Sequence, residues 1–341
     1  MDLSVVIITR DATRDLRRLL RSLESQVLRV GAEVIVVDDG SRRPDAVANV
    51  CATFAGPIRL LRRARGEGSR AASRNRGIDA ARGRVVLFLD SDQVAPETLL
   101  SEHLRYHRAF DRACVIGFRR HAGPGGTVQC LRPEVRTRVT SRWSENIRAL
   151  ASAWYLTFTC NLSVTRDVLV DIHGFDEGFV GWGLEDSELG LRAWQHGAVI
   201  VHNPYAWTID YGHVVRTDPQ RMQEWQANRS HFLHKHAKDA GSALALLDNY
   251  PRGPGSLGFR WLESYERFER QCRVNLGRPE STPAAPASVT VINHDDRNEV
   301  RERISHGESL DIIDFLPSSG LDLEIQLSPA EHIRYWAGGR W

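Results

Sequence analysis

Two acidic pairs in this 341-residue chain sit where carboxylates can do chemistry. Asp90-Ser91-Asp92 follows directly on the apolar run Val85-Val86-Leu87-Phe88-Leu89. Carboxylates two residues apart at a strand end can both face one hard divalent cation, and a cation held that way can bridge a diphosphate. The same spacing also suits a solvated turn or a helix cap ahead of Pro96. In Gly181-Trp182-Gly183-Leu184-Glu185-Asp186, an indole flanked by glycines can offer a flat apolar face of the kind a sugar ring requires. The carboxylates beside it can bind an acceptor or serve as a general base. A first-turn Glu-Asp pair that compensates a helix dipole has the same signature. Gly66-Glu67-Gly68-Ser69 precedes a helix as a phosphate loop would, but Ala71 breaks the G-x-G-x-x-G pattern and the segment follows the third strand instead of the first. A dinucleotide site is therefore not expected. Arg70 and Arg74 fall one turn apart on that helix, facing either an anion or solvent.

The elements that must position these groups alternate through the first 90 residues. Residues 4–9 are a continuous apolar run of buried-strand length. Leu16, Leu19, Leu20, Leu23 and Val27 then recur on one helix face. Residues 33–37 form a second strand closed by Asp38-Asp39-Gly40-Ser41, and the spacing predicts a helix near 44–54, a strand over 58–61, a helix over 69–81 and a strand over 84–89. Strand and helix in repetition imply a parallel sheet covered on both faces, with ligands beyond the carboxyl ends of the strands. Thr9-Arg10-Asp11, Asp38-Asp39 and Asp90-Ser91-Asp92 therefore converge on one rim. From 110 to 180 the pattern is less regular, with a hairpin turn expected at Gly123–Gly126, an apolar segment at 154–164 and a helix near 166–172. A helix entered through glycines is expected over 181–197, a strand over 198–202 and a helix over 221–236. His231, His234 and His236 do not share one face of the last helix, so they read as surface residues, not a metal cluster. The Pro/Gly-rich stretches 251–258 and 279–286 read as linkers, and residues 288–293, 312–316 and 321–327 as strands of a small appended unit.

Composition is that of a globular protein, 42% hydrophobic and 26% charged, which excludes disordered and fibrous classes. Only Lys235 and Lys238 are lysine among the 45 basic residues, a bias that GC-rich coding or anion binding would each produce. The near-neutral charge of +2 hides an asymmetry: residues 1–120 carry 22 Arg against 15 acids, and residues 281–341 carry 5 Arg against 10 acids. Five scattered cysteines without a C-x-x-C pair argue against a disulfide framework and for buried thiols in a reducing cytoplasm. The N-terminus has no basic segment ahead of its short apolar run, and no stretch approaches the roughly 18–20 apolar residues of a membrane span. A cytoplasmic location and the absence of a transmembrane segment are expected.

Five motifs in order, Ser4-Val5-Val6-Ile7-Ile8-Thr9, Val36-Val37-Asp38-Asp39-Gly40-Ser41, Ser73-Arg74-Asn75-Arg76-Gly77, Leu89-Asp90-Ser91-Asp92 and Gly174-Phe175-Asp176-Glu177 with Gly181–Asp186, resemble the family 2 glycosyltransferases. The second half is also similar to polypeptide N-acetylgalactosaminyltransferases, chondroitin-type synthases and β-1,4-galactosyltransferases. The resemblance covers roughly residues 1–240. It implies an α/β GT-A fold, a Rossmann-like, mostly parallel sheet with helices on both faces. The domain would span 1–240, as a nucleotide-binding half (1–110) and an acceptor half (111–240), followed by a helical linker segment (241–287) and a small C-terminal α+β unit (288–341). It also implies roles. Thr9, Arg10, Asp39, Arg74, Asp90 and Ser91 would line the nucleotide, with Asp39 accepting from the base N–H. Asp92, with Asp90 and His213, would hold Mn²⁺ or Mg²⁺, His213 being preferred to His202. Trp182 and Glu185 would hold the acceptor or the sugar, and Asp186 would be the general base of an inverting transfer from a nucleoside-diphosphate sugar, UDP-linked above others.

The chain departs from the processive members, which carry Q-x-x-R-W and membrane helices: Val139 and Ala337 stand where Gln belongs ahead of Arg142-Trp143 and Arg340-Trp341. Single transfer to a soluble acceptor is expected, whether saccharide, natural product or peptide. Arg10-Asp11 replaces the Tyr-Asn common after the first strand. The competing readings are a non-catalytic nucleotide-sugar or nucleic-acid binder, against which the intact carboxylates argue, and a sugar nucleotidyltransferase, which would want an N-terminal glycine-rich loop with lysine. No nucleic-acid partner is expected. Whether the acidic appended unit recruits a basic acceptor or makes a homodimer stays open.

Overall fold

Strands buried on both faces need apolar side chains at nearly every position; three of the first four strands supply them, and the third, Ile58–Arg63 at the sheet edge, is only partly buried. In the computed structural model, which describes residues 1–66, 69–122, 132–134, 136–143, 146–211, 219–246, 259–276, 289–292, 297–306, 310–314 and 333–337, these segments become β1 (Leu3–Thr9), β2 (Glu33–Asp39), β3 (Ile58–Arg63) and β4 (Val85–Asp90). Between them run α1 (Thr13–Val30), α2 (Pro44–Ala52) and α3 (Arg70–Ala80). Leu3, Val5 and Ile7 of β1 pack with α1 and α2 on one face, while Val6 packs with Ala71 and Ile78 of α3 on the other. The predicted apolar stripe of α1 is wholly buried, and each of its five residues contributes roughly 1.5–3 kcal/mol of transfer free energy.

The chain continues through β5 (Gln93–Val94), α4 (Leu99–Ala109), β6 (Ala113–His121), β7 (Arg132–Pro133), α5 (Arg136–Arg142), β8 (Asn161–Thr165), α6 (Arg166–Asp171), α7 (Glu185–Gln195) and β9 (Val199–Asp210). One sheet takes the order β3-β2-β1-β4-β8-β6-β9-β5, with β7 on β6. β1 to β4, β6 and β9 all run in one direction; β8 is antiparallel to both β4 and β6, and the two-residue β5 and β7 are antiparallel to β9 and β6. The sheet is thus mostly parallel, with the expected α/β layering. β6, unread in the sequence, is central, and β9 extends well past the expected residue 202.

Then follow α8 (Pro219–Lys235), α9 (Gly241–Leu244) and α10 (Phe259–Leu276), and after them β10 (Val289–Ile292), α11 (Arg297–Ser305), β11 (Leu310–Asp314) and β12 (Ile333–Ala337). α10 docks on the main core. Its Tyr265, Phe268 and Cys272 are buried there, and Glu269 accepts from the N–H groups of Ala151 (3.1 Å) and Ser152 (2.7 Å). β10, β11 and β12 form a separate parallel sheet, so the third strand of the appended unit is 333–337; residues 321–327 and 123–126 lie outside the described residues. The described cysteines, Cys51, Cys114, Cys160 and Cys272, are free and buried, as expected. No described helix is long and apolar enough to cross a membrane.

Candidate active site

The parallel pairing brings the predicted rim together. Thr9 lies opposite Asp38 across the β1–β2 ladder, and Ile8 opposite Asp90 across β1–β4. Thr9 is buried, and its hydroxyl has no hydrogen-bond partner among the described residues. Beyond the strand ends, two loops lock to each other. The Asp11 N–H donates to Ser41 Oγ (2.9 Å), and the Arg42 N–H donates to Asp11 Oδ1 (2.7 Å). Asp39 accepts a hydrogen bond from Ser73 Oγ at Oδ1 (2.7 Å), with Arg63 Nη1 3.4 Å from the same oxygen; Arg10 is half-exposed, 3.9 Å from Oδ2. Arg63 and Ser73 were not singled out in the sequence.

Asp90, Ser91 and Asp92 sit at the end of β4, partly buried, where the two-residue β5 pairs Gln93 with Asp210 at the end of β9. Burial and the nearby charges of Asp90 and Asp210 push the Asp92 carboxyl up to about 7, against the pull of Arg119. Arg119 and His121 also face Asp210, at 3.8 and 3.4 Å. These three were missed, although Asp210 carries the signal used elsewhere, an acid at the carboxyl end of a strand. The donor set suits a hard divalent cation: Asp92 Oδ1 is buried without a hydrogen-bond partner among the described residues, and further carboxylate charge crowds the same place. Among the described residues no group of three metal-ligating side chains is assembled. His213 lies outside the described residues; His202 is fully buried in β9, its ring 4.0 Å from that of Phe118, a core position.

The second acidic pair opens α7. The expected glycine-entered helix begins later than predicted, at Glu185, because Gly181, Gly183 and even Leu184 hold positive φ (81°, 105° and 70°). A side chain at Gly183 would put its Cβ 2.6 Å from Trp225 Cδ1, so the loop is pressed against α8. Trp182 is partly buried, with the Arg221 guanidinium 5.7 Å from its ring. Glu185 accepts from the Gly183 N–H (3.1 Å) and from Arg74 (3.0 Å). Asp186 Oδ2 accepts from the Thr159 N–H (3.0 Å), and Oδ1 lies 3.3 Å from Arg74. Burial and the charge of Glu185 push the Asp186 carboxyl up to about 7, with Arg74 and the Thr159 N–H pulling it down. Burial opposes the charge on Arg74, but Asp186, Glu185 and Asp90 together hold its guanidinium pKa above the ordinary value. Arg74 thus pairs with both carboxylates of the α7 start and feels the charge of Asp90 across the rim.

Behind the pair, Glu188 is fully buried and bonded to Arg192, Lys235 and His236. This corrects the reading of the α8 histidines as surface residues: His236 is buried on Glu188, His231 is half-buried on Asp176, and His234 alone is exposed.

The Rossmann-like, mostly parallel sheet, with acidic groups at its carboxyl rim and a second acidic helix start, has the GT-A fold. Residues 4–169 match the family model described as Glycosyl transferase family 2, and residues 149–216 match the model described as the N-terminal domain of galactosyltransferase. Over these residues the chain is similar to the family 2 glycosyltransferases. It is 29% identical over 259 residues to validoxylamine A glucosyltransferase of Streptomyces hygroscopicus subsp. jinggangensis, a match covering 69% of this chain and 61% of that protein. The chain spans about three fifths of the length of such curated relatives. Among solved structures it is similar to Staphylococcus aureus TarS 1–349 in complex with UDP-GlcNAc, with a TM-score of 0.54 at 16% identity, covering 89% of this chain and 81% of that one. The mannosyltransferase PcManGT of Pyrobaculum calidifontis, in complex with GDP-Man and Mn²⁺, gives a TM-score of 0.53 at 15% identity over 81% and 72% of the two chains.

Proposed function

We propose that this glycosyltransferase is metal-dependent and inverting, and that it moves one sugar from a UDP-sugar to a soluble saccharide, natural product or peptide. The observation that carries the reading is Asp186: a partly buried carboxylate at a helix start, with one oxygen fixed by the Thr159 N–H and its carboxyl pushed up to about 7. A base poised near neutral pH is suited to taking a hydroxyl proton. The acceptor hydroxyl gives its proton to Asp186 as its oxygen bonds to the anomeric carbon. The bond from that carbon to the diphosphate oxygen breaks on the opposite face, its electron pair leaving with the nucleoside diphosphate, and the configuration inverts. Arg74 holds Glu185 and Asp186 in place, and its positive charge keeps the base ionisable. Trp182 and Glu185 line the acceptor side, while Thr9, Arg10, Asp39, Asp90 and Ser91 line the donor side.

Mn²⁺ or Mg²⁺ on Asp92 and Asp90, with His213 as a further ligand, would supply positive charge to the departing diphosphate. TarS, solved with UDP-GlcNAc and with UDP, supports the donor class, and PcManGT with Mn²⁺ supports the cation. The test is calorimetric titration of UDP with and without Mn²⁺, beside a panel of UDP-, GDP- and dTDP-sugars with mass detection and NMR assignment of the product anomer. Metal-dependent UDP binding lost in Asp92→Ala, with an inverted product lost in Asp186→Asn, is expected. Binding indifferent to Mn²⁺ and to Asp92→Ala would refute metal dependence, and a retained anomer would refute the role of Asp186.

A further inference from the structure

The carboxylate of Asp39 has two oxygens, and the fold treats them differently. Oδ1 accepts from Ser73 Oγ at 2.7 Å and has Arg63 Nη1 at 3.4 Å. The same Arg63 nitrogen donates to Ser73 Oγ (2.6 Å) and to the Ser69 carbonyl (3.0 Å), closing a triangle. Ser73 is fully buried and the Arg63 side chain is 8% exposed, so solvent does not compete for these bonds. Oδ2, in contrast, accepts no hydrogen bond among the described residues. The cation nearest to it is Arg10, 3.9 Å away, with half its side chain in solvent.

We infer that Arg63 and Ser73 are positioning residues that select the nucleobase of the donor, by leaving Asp39 a single oxygen to recognise it with. The inference rests on the proposed donor role of Asp39. A carboxylate with both oxygens open matches guanine, whose N1–H and N2–H lie side by side and need two parallel acceptors. With Oδ1 filled, the second guanine donor loses its acceptor on entering the site, and a buried donor left unmade costs roughly ten-fold or more in affinity. Uracil and thymine present one ring N–H between two carbonyls. One open oxygen satisfies the N–H, and Arg10 is a donor within reach of a flanking carbonyl. Adenine and cytosine present a ring nitrogen that accepts, which a carboxylate oxygen repels. The locked Asp39 therefore fits an imide edge, that of a uridine or thymidine diphosphate sugar.

The experiment is calorimetric binding of UDP, dTDP and GDP, with Mn²⁺ present, to the wild type and to Ser73→Ala, Ser73→Thr and Arg63→Met, each checked for a folded melting transition. The wild type is expected to bind UDP and dTDP at least about ten-fold tighter than GDP. Ser73→Ala, which removes the 2.7 Å donor to Oδ1, should narrow that ratio about three-fold or more; Arg63→Met, which leaves that donor in place, should narrow it less, and Ser73→Thr, which keeps the hydroxyl, should preserve it. A purely structural role would lower all three affinities together and leave the ratio unchanged, and that result overturns the inference. GDP binding as tightly as UDP in the wild type overturns it as well, with the glycosyltransferase reading intact. Failure of all three nucleotides to bind would instead remove the donor role of Asp39 and the proposed function beneath it.

Discussion

Replacing Arg74 by Met tests whether the base is tuned as the geometry requires. The substitution keeps an apolar stem near the Phe175 ring, over which the guanidinium sits at 5.4 Å, and removes the cation that, among the described residues, holds both carboxylates of the α7 start. With Arg74 Nη1 3.3 Å from Asp186 Oδ1, an effective dielectric of about 20 gives an attraction of about 5 kcal/mol, an upper bound near three and a half pH units on the Asp186 pKa. Water entering the vacated space recovers part of that, so a rise of at least about one unit is expected. The sign is definite: burial and Glu185 push Asp186 up, Arg74 pulls it down, and only the pull is lost. A general base works ionised, so kcat/KM of the wild type should fall on the acid side of about pH 7, and in Arg74→Met this limb should move to pH 8 or above. Activity at pH 7 should drop about five-fold or more and return toward pH 9. An acid limb that stays near 7, or moves down, with a loss that is uniform across pH, would refute the coupling of Arg74 to the base.

Three further outcomes follow from the same reasoning. Asp186→Asn should cut turnover by a factor of about 100 or more, the usual worth of a general base, and yet raise the melting temperature at pH 8. The wild-type carboxylate, shifted above its ordinary value to about 7, contributes stability at low pH that is lost as pH rises through 7, so the gain should shrink toward pH 5 in a thermal-shift series. His103 and His107, buried and sharing the Ser163 hydroxyl at 2.8 Å each, are held down to about 4 and about 3 chiefly by burial. Both must be neutral in the fold, so denaturant-unfolding stability should decline below about pH 6.5 by roughly 1.4 kcal/mol per unit for each, and His107→Gln should flatten that slope. Gly183→Ala, with φ at 105° and the new Cβ against Trp225, should cost about 1–3 kcal/mol by calorimetry and lower transfer, because the loop carries Trp182 and leads into the catalytic pair.

The first half of the chain was legible because its physics is local. Doubly buried strands such as Val34–Val37 read as apolar runs, and each polar cluster after a strand marked the rim without any knowledge of partners. The second half was harder to read for identifiable reasons. β6 carries Gly117 in mid-strand, where an added Cβ would strike the Ala206 carbonyl and Asn161, and it ends in Arg119, Arg120 and His121, so its apolar period is broken. β9 contains Pro204 and alternates irregularly past a register shift in its pairing with β6, which hid its last eight residues, 203–210. The α7 start was placed too early because glycines that serve a strained loop look the same in sequence as a helix entry. Long-range partners were invisible altogether: nothing in the spacing says that Arg74 meets a carboxylate 111 positions away, or that Ser73 and Arg63 converge on Asp39.

The reversal of β8 has a consequence for how such an enzyme can change. Because β6 ends at the rim and β8 begins there, beside Leu89 at the end of β4, the connection between them starts and finishes at the carboxyl edge of the sheet. It contributes the Thr159 N–H to the base and is propped from behind by α10. On the proposed function, insertions, deletions or a new loop in this connection would alter the acceptor side while leaving the β1–β4 ladder alone. Acceptor preference would then be the modular property of this chain, open to redesign by exchanging one connection, whereas nucleotide preference would stay with the strand ends themselves.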